Sequence, residues 1–375
     1  MRRRSLLIAG SSSCVTPWVQ AANDFPGAAS DIVLGQSIDL KGPGRDIAHA
    51  FNDGALLAIA EANSRGGIQG RRIRLVTLGD DGQAEKAHAN GLSLINDHRA
   101  LAFFGCSGSS TLLALEPVMR DTGALSWGAF GMVDSVRQKC RGVAYFMRAP
   151  FSREIDQLVQ HLTTIGVSRI GFVGMPQGGE EILKLLSESL AGRKLEVAIA
   201  TTVSPDSSNL ADAARRLMTL QPQAVIMFLP GHQAAELMEE ARRIGQHLSF
   251  YGLSSVSGDA VMQRLGDKAR GLVIVQSVPY PWSQTDLVIS EYRRLAEQTQ
   301  HPVTYPGLEG YMSLRVLVEA LRRCGPEITR ARLGAAFKSL QMRLGTLDID
   351  FVAGGQTGSR FVELVQIARN GRYVH

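Results

Sequence analysis

Leu101-Ala102-Phe103-Phe104-Gly105-Cys106-Ser107-Gly108-Ser109-Ser110-Thr111 runs from a short apolar stretch into a Gly/Ser loop and on into an amphipathic segment over 111–121. An apolar strand that ends in a glycine turn and opens a helix is the joint of a βα unit. The same succession recurs on both sides of it. Upstream, Ile32-Val33-Leu34-Gly35 reads as a buried strand. It leads through Lys41-Gly42-Pro43-Gly44 to a helix with Ile47, Phe51, Ala55, Ala58 and Ala62 on one face, stopped by Gly66-Gly67. A strand over 72–78 ends at Asp80-Asp81-Gly82, the composition of a solvated turn, and a helix over 84–96 follows. Downstream, strands over 170–173, 197–203, 224–229 and 249–253 alternate with helices over 180–190, 210–220 and 234–244. Helices over 286–298 and 308–323 and a strand over 361–367 complete the chain.

That many units exceed one core, so the expectation is an α/β protein with two parallel-type sheets in two lobes. The rhythm breaks at Met147-Arg148-Ala149-Pro150, at Val278-Pro279-Tyr280-Pro281-Trp282 and near 344–351, the candidate crossings between lobes. The predicted lobes are 31–149 with 279–343, and 150–278 with 344–375.

Composition narrows the class. Of 375 residues, 45% are hydrophobic and 20% charged, which excludes a disordered chain and supports sizeable cores. The charge is +5, but Arg2, Arg3 and Arg4 sit in a segment of export-signal character, and without them the chain carries +2. No basic stripe interleaved with aromatics occurs, so nucleic acid is not an expected partner. The basic start, the apolar Leu6-Leu7-Ile8-Ala9 and Val19-Gln20-Ala21 predict a signal peptide over 1–22, cleaved near Ala21 or Ala22, and a soluble exported product. Arg3-Arg4-Ser5-Leu6-Leu7 loosely fits a twin-arginine pattern, leaving the export route open. Cys14 follows Ser11-Ser12-Ser13, where a lipoprotein signal would carry an apolar residue. Beyond the signal, Cys106, Cys140 and Cys324 permit one intramolecular bridge at most, with the pair undetermined.

Ligands of open α/β sheets bind at the carboxyl ends of strands, which directs attention to Ser109, Ser110 and Thr111. Free amides and hydroxyls at a helix start can hold a carboxylate, though the same residues also serve as plain N-caps. Enzyme readings find little support. The loop misses a nucleophile elbow at its last position, no P-loop occurs, and the eight His form no metal-ligand pair. Cys106 at a helix start has no identifiable base, and Asp80-Asp81 reads as a turn rather than a catalytic pair. Trp127, Phe130, Tyr280, Trp282 and Tyr305 stand near unit ends, where aromatics either pack or wall a cleft.

The stretch over 31–70, IVLGQSIDLKGPG…FNDGALLAIAEANSRGGIQGR, is similar to the opening of leucine/isoleucine/valine-type periplasmic binding proteins, the type I receptors of ABC importers. LGDDG at 78–82, FGCSGSST at 104–111, the strand over 224–229 followed by EEARRIG, and VQSVPYPW…YPGLEGYMSLRVLVEALRRCGPEIT match in order along the mature chain. The resemblance implies two Rossmann-like lobes joined by three crossover segments, a ligand bound between them by hinge closure, no catalysis and no cofactor. It places the ligand carboxylate on Ser109, Ser110 and Thr111, and further contacts on Gly128, Ala129 and Phe130. The chain departs from the amino-acid binders where they carry a hydroxyl residue (Phe130 here), aromatics (Gly178 and near Pro230) and the acid that holds the ligand ammonium (near Ser254). A first-lobe disulfide is also missing, since Cys106 matches one partner and Gln83 stands in the other's place.

The sequence therefore predicts a periplasmic substrate-binding protein of an ABC importer, a non-enzyme that works with an inner-membrane permease as a monomer or weak dimer. The expected ligand is a small organic solute, amino-acid-like or a carboxylate, and a carboxylate without an α-ammonium, aromatic in kind, fits Trp127, Phe130 and Tyr305 best; Ser109, Ser110 and Thr111 grip it and Gln177, His232 and Ser254 close over it. The alternative is a periplasmic sensing module that reports to a membrane receptor or kinase.

Overall fold

A computed structural model describes residues 31–245 and 248–374, and the expected signal peptide lies outside them. The first sheet contains β1 (Ile32–Ile38), β2 (Ile73–Gly79), β3 (Ala102–Phe104), β4 (Ser126–Trp127) and β5 (Ala144–Tyr145) in the order β2-β1-β3-β4-β5, every pair parallel. The second sheet contains β6 (Ile170–Gly174), β7 (Val197–Thr202), β8 (Ala224–Phe228), β9 (Ser249–Gly252) and β10 (Val273–Gln276). A hairpin, β11 (Gln341–Leu344) and β12 (Leu347–Asp350), precedes β13 (Glu363–Ile367) and β14 (Tyr373–Val374). The second sheet runs β14-β13-β10-β9-β8-β6-β7, and only the pairings of β13 with β10 and with β14 are antiparallel. The two-lobe α/β expectation holds.

Strands such as β3, β6 and β8 are buried along their whole length because helices cover both faces, which is why their sequences are continuously apolar. On the first lobe, helix Arg45–Ser64 lies against helix Tyr305–Arg323 through glycines. A Cβ on Gly54 would stand 1.8 Å from the Gly307 carbonyl oxygen, and one on Gly310 would stand 1.9 Å from that of Phe51. The sequence expects the second of these helices from 308, but it begins at Tyr305. Thr304 caps it by accepting the Gly307 amide at 3.0 Å, and Pro306 sits in the first turn, where proline is favoured.

The chain passes between lobes three times. The first passage, through Met147 and Arg148, pairs with the third: Phe146 N donates to Gln356 O at 2.7 Å and Ser359 N to Met147 O at 2.8 Å. The third passage thus falls at 356–359, later than the 344–351 expected. The β11–β12 hairpin stays with the first lobe, where Thr346 N donates to Asp286 Oδ2 at 2.7 Å and Phe351 lies edge-on to Trp127. Burying Phe351 beneath Trp127 and Phe337 removes its ring from water and holds the chain there. Among the described residues, no helix is long and apolar enough to cross a membrane.

Candidate functional site

The carboxyl ends of the strands in both lobes face a cleft of about 360 Å3. From the first lobe come Asp39 after β1, Asp81 after β2, Ser107 to Thr111 after β3, and Phe130 after β4; from the second come Met175, Gln177, Phe228, Pro230, Ser254, Ser255 and Ser257. Arg148, on the first passage, lies at the back.

Two first-lobe loops are laced together to form one wall. Phe130 N donates to Cys106 O at 3.0 Å and Gly108 N to Phe130 O at 2.9 Å, while the Phe130 ring packs 4.5 Å from that of Phe51. Gly108 takes φ +88°, a conformation glycine adopts without strain, and the helix Ser109–Thr122 starts behind it. The amides of Ser109, Ser110 and Thr111 have no protein acceptor among the described residues and carry the positive end of the helix dipole. Ser109 Oγ accepts from Val133 N at 3.2 Å, and Thr111 Oγ1 donates to Asp80 Oδ2 at 3.1 Å.

Asp80 is not the solvated turn residue the sequence suggests. It is fully buried, accepting from Ser37 Oγ at 2.6 Å, Thr111 Oγ1 and Gly82 N, and burial raises its pKa above the usual carboxylate value in spite of these donors. Three further acids line the cleft, of which Asp46 is exposed and lies 3.7 Å from Arg45, while the other two are held more closely. Asp39 accepts the amides of Gly42 and Gly44, which wraps the Lys41–Gly44 loop around its carboxylate, and Asp81 pairs with Lys86 at 2.9 Å.

The lobes touch across the mouth. Gln177 Nε2 donates to Ser110 Oγ, and Glu181 accepts from Ser135 N at 2.8 Å and Ser135 Oγ at 2.5 Å. Gly178 has φ +80°, and a Cβ there would stand 2.8 Å from Val133 Cγ1, so this chain leaves no space for an aromatic side chain at that position.

Of the expected site residues, Ser109, Ser110, Thr111, Phe130, Gln177 and Ser254 line the cleft. Trp127, Gly128, Ala129, His232 and Tyr305 do not. Trp127 is fully buried, donates Nε1–H to Ser313 O at 2.8 Å and stacks on Phe337, so its indole is core. Gly128 and Ala129 bind backbone to backbone or pack inward behind Phe130. His232 lies one residue beyond the cleft-lining Gly231, on the helix Gly231–Arg243. Tyr305 stacks edge-on with Trp282 and Tyr373 in an aromatic cluster between the lobes. Sequence reasoning missed Arg148, Met175, Phe228, Ser255 and Ser257. The strand-end rule applied to β6, β8 and β9 would have found the last four; Arg148 was seen only as part of a crossing.

Cys106, Cys140 and Cys324 are all free and buried, and desolvation pushes the Cys106 thiol up to about 12. Among the described residues, no group of three or more His, Cys, Asp or Glu side chains gathers to hold a metal.

A cleft between two βα lobes, entered at strand ends and bounded by three chain passages, defines a two-lobed solute-binding protein. The chain belongs to the periplasmic binding protein family, whose model matches residues 31–372. It is similar in structure to a substrate-binding periplasmic protein from Ralstonia solanacearum, with 26% identity, a TM-score of 0.86, and coverage of 92% of this chain and 99% of that one. A possible leucine/isoleucine/valine-binding protein from Rhodopirellula baltica has 24% identity, a TM-score of 0.88, and coverage of 94% and 98%. A branched-chain amino acid ABC transporter protein from Thermus thermophilus with bound valine shares the fold at 16% identity and a TM-score of 0.82, over 93% and 95%. No curated protein matches the chain in sequence.

Proposed function

We propose that this protein is the periplasmic substrate-binding component of an ABC importer, and that it captures a small organic carboxylate without an α-ammonium in the interlobe cleft. The observation that carries this reading is the set of unpaired amides of Ser109, Ser110 and Thr111 at the cleft wall, opposite Gln177. A carboxylate there meets backbone donors and the helix dipole, in a cleft where exclusion of water strengthens both. Phe130, Phe228, Met175 and Pro230 supply an apolar surface for the rest of the ligand. An ammonium is disfavoured because Asp39 and Asp81 are already engaged, Asp46 lies beside Arg45, and Ser254 offers a hydroxyl rather than a carboxylate.

Gln177, Ser254 and their neighbours arrive with the second lobe, so ligand binding and hinge closure are one event. The reading assigns no catalysis: burial pushes the Cys106 thiol up to about 12, and among the described residues the Ser109 hydroxyl is bonded to the Val133 amide rather than to a base.

Thermal unfolding of the mature chain against aliphatic carboxylates, aromatic acids, amides and branched-chain amino acids tests it. At about 100 times its dissociation constant a ligand adds about 2.7 kcal/mol. Carboxylates are expected to stabilise and leucine is not; a response to leucine alone would overturn the reading.

A further inference from the structure

Behind the cleft wall lies a buried carboxylate that the binding reading does not use. Glu154, on the second-lobe helix Phe151–Thr164, is 1% exposed. Its two oxygens are taken by one residue: Ser254 Oγ donates to Oε1 at 2.6 Å and Ser254 N donates to Oε2 at 2.9 Å. Ser254 itself lines the cleft. Resting on the proposed binding function, we infer that Glu154 and Ser254 form a relayed acceptor that selects a ligand carrying a neutral hydroxyl or amide hydrogen at its second-lobe end.

The argument is one of hydrogen-bond inventory. An ionised carboxylate only accepts, so the Ser254 proton is committed to Glu154 and its oxygen turns lone pairs alone toward the cleft. A hydroxyl facing a carboxylate is also a stronger acceptor than a free one, since bonds in a chain polarise one another. Beside it, Ser255 Oγ is buried with no partner among the described residues. That oxygen can donate as well as accept. A hydroxyl or carboxamide hydrogen satisfies the lone pairs of Ser254 Oγ, whereas a plain hydrocarbon end strips them of water and gives nothing in return. An ammonium would meet a hydroxyl rather than a carboxylate and lose its hydration without a direct ion pair.

Charge around Glu154 makes the relay sensitive to pH. Arg148, from the first passage, lies within 3.1 Å of Glu309 on the helix Tyr305–Arg323, and Arg137 lies farther off. One nearby guanidinium thus serves two buried carboxylates. Burial lifts Glu154 to about 7 against the opposing pull of Arg148 and the Ser254 bonds. Protonated, Glu154 donates to Ser254 Oγ, and the serine proton turns toward the cleft. The acceptor becomes a donor.

Calorimetry of the mature protein with six probes tests the inference: 4-methylpentanoate, 2-hydroxy-4-methylpentanoate, leucine, benzoate, 4-hydroxybenzoate and 4-carbamoylbenzoate, at about pH 6 and about pH 8.5. A hydroxyl or amide derivative is expected to bind roughly tenfold tighter than its parent acid at the higher pH. The advantage should shrink several-fold at the lower pH, vanish in Ser254→Ala, and lose its pH dependence in Glu154→Gln. If a variant does not fold, the pH comparison on the native protein still decides. Parents and derivatives binding alike at both pH values would overturn the relay and leave the carboxylate reading standing, as would leucine binding ahead of its hydroxy counterpart for the neutral-donor choice. Silence from all six probes would overturn the carboxylate reading, and the relay with it.

Discussion

Arg148 Nε lies 3.1 Å from Glu309 Oε1, joining the first passage between the lobes to the helix Tyr305–Arg323 in a place where both side chains are under 10% exposed. The same guanidinium donates to Ser277 Oγ at 2.8 and 3.2 Å, reaching the end of β10 where the second passage starts. One side chain therefore ties together two of the segments about which the lobes would hinge. Burial raises the Glu309 pKa although Arg148 opposes the shift. Glu309→Gln should leave the buried Arg148 charge with only the more distant Glu154 to balance it and lower stability by up to about 3 kcal/mol in urea unfolding. The double change Arg148→Met with Glu309→Leu should cost less, because the ion pair leaves together and Glu154, already lifted to about 7, can take up a proton.

The helix pair of the first lobe should tolerate no side chain at its crossing. In Gly54→Ala and Gly310→Ala the new Cβ falls within 2 Å of a backbone carbonyl oxygen, which cannot rotate away. Each substitution is expected to cost about 3 kcal/mol or more through forced helix separation. Gly66→Ala, at φ +91° with nothing within 4 Å, should suffer only the backbone penalty of roughly 1 kcal/mol. Melting temperatures of the three variants make the comparison.

Ser110 and Gln177 should be coupled in binding and not in folding. Their hydrogen bond spans the cleft mouth and joins the lobes. Ser110→Ala and Gln177→Ala are each expected to weaken a bound carboxylate several-fold, with a double-mutant coupling of about 1 kcal/mol. Additive losses in calorimetry would show that the contact does not hold the closed form.

Stability should fall as pH rises through neutrality. Glu154 is lifted from its ordinary 4.5 to about 7 and Asp259 from 3.8 to about 6, both chiefly by burial. The folded protein therefore holds protons that the unfolded chain releases, so the unfolded state binds fewer protons between about pH 4 and 7 and unfolding becomes easier across that window. For Glu154 the full effect is on the order of 3 kcal/mol. Denaturant midpoints measured from about pH 5 to about 8.5 should decline, with a flatter slope in Glu154→Gln.

The native protein should resist thiol reagents. Cys106, Cys140 and Cys324 are buried and free, and desolvation raises each thiol pKa, to about 12 for Cys106 and about 11 for Cys140. With the chain lacking the expected signal peptide and its Cys14, Ellman's reagent is expected to report almost no thiol in the folded state and these three after unfolding in denaturant.

Local sequence determined the βα rhythm, and through it the two-lobe class. Runs such as Ile170-Gly171-Phe172-Val173 are apolar throughout because a parallel strand is covered on both faces, and each glycine-rich exit marks a helix start. The same logic reached Ser109, Ser110 and Thr111, whose exposed amides follow from their place at the head of a helix. What lies on either side of an aromatic or a carboxylate was decided only by tertiary packing. Trp127 and Phe130 are three residues apart at one strand end, yet the indole turns into the core beneath Phe337 while Phe130 walls the cleft. Asp80 and Asp81 are adjacent, yet one is sealed under Ser37 and Thr111 and the other reaches Lys86. Glu154 and Ser254 meet from positions 100 residues apart. Periodicity is a local property and survives in a single sequence. Partnership between distant side chains depends on how two sheets and three passages are laid together, and no local pattern encodes it.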